Sequence, residues 1–107
     1  MIYELRSYEV VPGRMPAMNA RFQNHTLGLF EKHGIKVIGF WEAIIGQSNV
    51  LHYIVAFDDL AHRERAWATF QADEGWIKAR AESEADGPIV ARIRNEIWRP
   101  ANYSPLK

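Results

Sequence analysis

Glu4, Arg6 and Tyr8 stand two residues apart in Ile2-Tyr3-Glu4-Leu5-Arg6-Ser7-Tyr8. In an extended strand that spacing puts all three on one face. Together they could move a proton beside an oxyanion. Burial would raise the Glu4 pKa and Arg6 would lower it. Arg6 could hold a carboxylate or enolate oxygen, and Tyr8 could donate a hydrogen bond to it. His52, in Val50-Leu51-His52-Tyr53, adds a group that titrates near neutral pH. This reading gives catalytic roles to His52, Glu4 and Arg6, and substrate contacts to Tyr8, Trp41 and Arg94. A plainer reading of the same residues has Glu4 and Arg6 as an ion pair, within a chain or across a dimer axis, and His52 as a hydrogen-bonded interior residue.

Hydrophobic periodicity gives the elements that would position them. Residues 2–10 alternate as a strand, broken by Pro12-Gly13. Residues 14–33 read as a helix with Met15, Met18, Phe22, Thr26 and Leu29 on one face and Gly34 as its C-cap. A strand over 36–46 turns at Gly46-Gln47-Ser48-Asn49 into a third over 50–57. Asp58-Asp59 caps a helix over about 60–72, its Asp59, Arg63 and Arg65 read as an exposed, ion-paired surface. Asp73 caps a further helical stretch to about residue 84, with Trp76, Ile77 and Arg80 inward, and 89–98 is the last strand. The order βαββαβ predicts an α+β, ferredoxin-like domain over 1–107: a four-stranded antiparallel sheet in order 4-1-3-2, both helices on one face, and an extended tail over 99–107.

Two helices cover one face of such a sheet. The second and third strands are apolar on both sides, which predicts burial on both sides. A second copy, sheet against sheet, is the simplest cover; a tail folded across the open face of a monomer is the other. In the dimer, Tyr3, Leu5 and Ser7 are expected against the helices. Glu4, Arg6 and Tyr8 then face the enclosed space with His52, Arg94 and Trp41, where Gly39 leaves room for a ligand or a partner's backbone.

Thirteen basic residues balance thirteen acidic ones, so nucleic acid and membrane surfaces are not expected partners. The absence of cysteine removes disulfides, thiol nucleophiles and Cys-type metal sites. His25 and His33 are too far apart to share a metal ion, and no phosphate-cradling glycine loop occurs. No metal and no cofactor are expected, haem at His25 being the weakest of the possibilities. The opening residues do not read as a signal peptide, which points to the cytoplasm.

Several segments together resemble the NIPSNAP family: Ile2 to Tyr8 followed by Pro12-Gly13, Gly39-Phe40-Trp41, Leu51-His52-Tyr53, Ala56-Phe57-Asp58-Asp59-Leu60-Ala61 with Arg63-Glu64, and Arg99-Pro100. The chain looks like a compact bacterial member. The resemblance implies the dimeric α/β-barrel superfamily, which includes small monooxygenases and haem-degrading enzymes, and it implies no settled activity for the family itself. Glu4, Arg6, Trp41 and His52 fall on its motif positions. Tyr53 stands where members often carry Trp, a difference expected to affect packing only. Two functions are open: binding or transforming a small molecule in the dimer cavity by acid/base chemistry, or a non-catalytic dimeric interaction module.

Overall fold

The computed structural model describes residues 1–107. Its first strand, β1 (Ile2–Val10), ends at Pro12-Gly13, where Gly13 takes φ +87°. Helix α1 (Met15–Arg21) runs through one π-helical turn (Phe22–Thr26) into α2 (Leu27–Lys32). Strands β2 (Lys36–Glu42) and β3 (Val50–Phe57) follow, then α3 (Leu60–Ala72), α4 (Glu74–Ser83) and β4 (Val90–Trp98). The strands form one antiparallel sheet in order β2-β3-β1-β4, and the fold is ferredoxin-like.

The expected punctuation is present. Gly34 closes α2 in the left-handed region at φ +73°, with the Ile35 amide bonded to Phe30 O. Asp59 accepts from the His62 amide at the start of α3, and Asp73 from the Gly75 amide at the start of α4. Asp73 also accepts from Lys32 Nζ and His33 Nε2, each at 2.7 Å, which ties the end of α2 to the corner between α3 and α4. These bonds, Lys32 first, hold its carboxyl well below the usual range. The core lies between Met18, Phe22 and Phe30 on the helical side and Tyr53, Val55 and Phe57 on β3. Each such side chain contributes roughly 1.5–3 kcal/mol of burial.

Three expectations are corrected. The second strand stops at Glu42 rather than Gly46, and Ile44 and Ile45 project into solvent from the loop. Gly39 leaves no vacant space, because the ring of Trp41 lies where a Cβ on Gly39 would point. The third correction governs the site: the faces of β1 are reversed. Arg6 pairs with Tyr53 and Ser7 with His52. Glu4, Arg6 and Tyr8 therefore face the helices, and Tyr3, Leu5 and Ser7 face away. The apolar side of β1 was expected inward, but side chains from α3 and β4 satisfy the charges there, which makes burial of the polar side tolerable.

On the helix-free face, Trp41, His52, Ser7 and Arg94 form one row across the four strands. The tail touches one corner of this face: Leu106 lines a crevice of about 240 Å³ with Tyr3, Ile38 and Ile54. No helix is long and apolar enough to cross a membrane.

Candidate functional site

Glu4 is the anchor of a buried network beneath the helices. It has no exposed surface, and its two oxygens accept five hydrogen bonds. Arg63 Nε (2.9 Å) and Trp67 Nε1 (2.9 Å) donate to Oε1; Arg63 Nη2 (3.1 Å), Arg6 Nη1 (3.1 Å) and Asn95 Nδ2 (2.9 Å) donate to Oε2. Burial alone would raise its pKa, but the bonds from Arg63, Asn95 and Trp67 and the charge of Arg6 outweigh it and bring it to about 2. Glu4 is thus a fixed anion that joins β1, β4 and α3.

Arg6 carries the network inward. Besides Glu4 it donates from Nε to Tyr53 Oη at 2.8 Å and from Nη2 to Tyr8 Oη at 3.3 Å, and its guanidinium lies 4.5 Å from the Trp67 ring centre. Burial would weaken its charge, but the oxygens of Tyr53, Tyr8 and Glu4 hold its pKa above the usual arginine range. The Tyr8 and Tyr53 hydroxyls are 2.8 Å apart. Burial pushes the Tyr53 pKa well up, so this phenol stays protonated. Its neighbours are Arg6, which only donates, and Tyr8, so the Tyr53 hydrogen goes to Tyr8 Oη. Tyr8 keeps its own hydrogen for another acceptor.

That acceptor can come from a cleft. The helices stop short of β4, leaving Ile93 47% exposed on the helix side of the sheet. A cleft of about 940 Å³ opens there between β1 and β4 on one side and the helices on the other. This lies within the size range of small-molecule sites. Tyr8 and Arg6 form part of its floor, Trp67 and Trp76 part of its aromatic wall, and Arg21 precedes the π-helical turn that Thr26 ends. Single π turns inside α-helices recur at functional sites. Ile77 and Arg80, expected inward, are exposed because the cleft separates them from the sheet.

The six sequence candidates thus divide. Glu4, Arg6 and Tyr8 meet beneath the helices. His52, Trp41 and Arg94 are on the opposite face, where His52 Nδ1 shares a 2.8 Å hydrogen bond with Ser7 Oγ, and Trp41 and Arg94 are exposed. His25 is exposed, and no group of three or more metal-ligating side chains occurs. Sequence reasoning missed Arg63, expected on the surface, and Tyr53, expected only to pack. The four-residue spacing of Arg63 and Trp67, which sets both on one face of α3, was the available signal.

Comparison with known proteins agrees with this architecture. The NIPSNAP family model matches residues 3–105. Protein NipSnap homolog 2 of Danio rerio is 29% identical over 106 residues, covering 99% of this chain and 35% of that protein. The chain spans about a third of the length of such curated relatives. Among solved structures, protein Atu4242 from Agrobacterium tumefaciens superposes with a TM-score of 0.88 at 28% identity over 100% of both chains. The "Putative antibiotic biosynthesis monooxygenase from Nitrosomonas europaea" shares the fold, at a TM-score of 0.65 and 10% identity over 94% of this chain and 98% of that one. With its family pattern matched over nearly its whole length, the chain belongs to the NIPSNAP family.

Proposed function

We propose that the chain binds a small planar molecule in the cleft beneath its helices and handles a proton at one of that molecule's oxygens through Tyr8. The observation that carries this reading is the uncommitted Tyr8 hydrogen, backed by a hydroxyl and a guanidinium that both donate to the same oxygen. When Tyr8 gives its proton to a ligand oxygen, the phenolate left behind accepts from Arg6 and Tyr53; taking the proton back resets the site. Glu4 is a positioning residue in this scheme, since its five donors fix Arg6 and leave no lone pair directed at a ligand. The aromatic walls favour a flat, apolar body.

The reading includes a homodimer. The row of Trp41, His52, Ser7 and Arg94, with Trp98 at 42% and Trp41 at 50% exposure, suits a second helix-free face better than water. His52 and Arg94 then act at the junction of two chains and not on the ligand.

Titration with 2-naphthamide, followed through the indole N–H signals of the four tryptophans, tests the cleft. The shifts are expected at Trp67 and Trp76 and not at Trp41 or Trp98. Tyr8→Phe should weaken binding roughly five- to tenfold, the value of one hydrogen bond of about 1–1.5 kcal/mol. Unmoved Trp67 and Trp76 signals across a panel of planar aromatic amides and acids would exclude this function.

A further inference from the structure

Four arginines line the cleft, and one of them has no carboxylate. Arg6 has Glu4 at 3.1 Å, Arg80 has Glu84 at 3.6 Å and Arg92 has Glu9 at 3.2 Å. Arg21, the last residue of α1, is 5% exposed and forms no ion pair. Its Nη1 donates to Ser83 Oγ at 3.2 Å, and its guanidinium lies 5.2 Å from the centre of the Trp76 ring. Its Nε is buried without an acceptor. Burial is the largest influence on it and lowers its pKa; of the charged groups that act on it, Glu84 attracts it but pairs with Arg80, and Arg80 repels it.

A buried cation with an open hydrogen-bonding edge is costly in a free protein. The open edge is the one made by Nε and Nη2. Arg63 shows what that edge does when filled: its Nε and Nη2 grip both oxygens of Glu4 at 2.9 and 3.1 Å. A planar fork of this kind matches a carboxylate better than any neutral group. Trp76 lies against the guanidinium, so an aromatic body attached to that carboxylate would find a flat apolar neighbour. Arg14, the other arginine whose Nε is buried without an acceptor, is different: its Nη2 is occupied by the carbonyls of Ser83 and Gly87.

We infer that the molecule taken by the cleft is a planar organic anion whose carboxylate is received by Arg21 while its apolar body lies along the aromatic wall. The inference rests on the reading of the cleft as the ligand site, and it adds the charge and class of the ligand.

The test compares 2-naphthoate with its neutral isostere 2-naphthamide, again through the Trp67 and Trp76 indole signals. The wild-type protein should bind the carboxylate at least tenfold more tightly than the amide. Arg21→Gln should bring the two within about twofold by weakening naphthoate alone, and Arg21→Lys should keep most of the preference. In the absence of either probe, Arg21→Gln should melt no lower than wild type, because a buried unpaired charge has gone. Equal binding of both probes by the wild type would overturn the inference while leaving the cleft as a ligand site. Equal loss of both in Arg21→Gln would make Arg21 a scaffold residue and overturn it as well. If that variant does not fold, the wild-type ratio and the lysine variant decide. Absence of shifts with either probe would instead remove the cleft reading itself.

Discussion

The hydroxyl of Tyr53 gives its hydrogen to Tyr8 across 2.8 Å, because the only other polar group it touches, Arg6 Nε, is itself a donor. The direction of that bond passes a half-buried arginine's influence, through one fully buried phenol, to a second phenol at the floor of an open cleft. Two strands and two aromatic rings are enough to aim a proton outward.

Tyr53→Phe should therefore do more than alter packing. It removes the acceptor of Arg6 Nε and the donor to Tyr8 while keeping the ring. Urea unfolding should show a loss of about 1–3 kcal/mol, the range for stranding a buried polar partner. A loss below about 0.5 kcal/mol would mean that the pair contributes no order to the site.

Glu4→Gln should be among the most damaging single changes in the chain. It breaks a buried ionic cluster and leaves Arg6 and Arg63 facing a neutral amide, at a cost of about 3–5 kcal/mol. The sign with pH is definite. The folded-state pKa is about 2 against an ordinary 4.5. The stabilisation is complete above pH 4.5 and is lost as pH falls from there towards 2, because the unfolded chain takes up its proton first. Urea midpoints measured from pH 7 down to pH 2.5 should converge for wild type and Glu4→Gln. A difference that persists unchanged at pH 2.5 would contradict the assignment.

Sedimentation of the wild type should give about twice the chain mass of 12.4 kDa at micromolar concentration. Trp41→Glu should yield single chains, since it sets a charge on the large exposed side chain at the β2 end of that row. Gly39→Ala should weaken the pair more mildly, because an added methyl would meet the Trp41 ring at 2.7 Å and push it outward. A wild-type particle of one chain's mass would remove the homodimer from the proposal and leave the cleft untouched.

The order of elements, the sheet topology and both aspartate caps were legible because each rests on local chemistry: a periodicity, a cap or a turn residue. Faces were legible on β3 and β4, where Tyr53 and Val55, or Ile93 and Ile97, are the apolar set and do lie towards the helices. On β1 the same rule failed. Tyr3 and Leu5 looked like the inner set, yet Glu4 and Arg6 are inside because Arg63, Trp67 and Asn95 converge on them from positions 59 to 91 residues further along the chain. Alternation measures apolarity within one strand; it carries no information on which distant donors arrive. The cleft was illegible for a related reason. It exists because the helices stop short of β4, a matter of how the layers overlap, and the π turn that shapes α1 and α2 left no mark in the helical pattern of Met15, Met18, Phe22 and Thr26.

The crystal structure of the protein with 2-naphthamide bound tests the central claim most directly. The account predicts the ligand in the cleft beneath the helices, one of its oxygens within about 3 Å of Tyr8 Oη. A ligand seated between the helix-free sheet faces beside His52 and Trp41, with the cleft filled only by solvent, would contradict it.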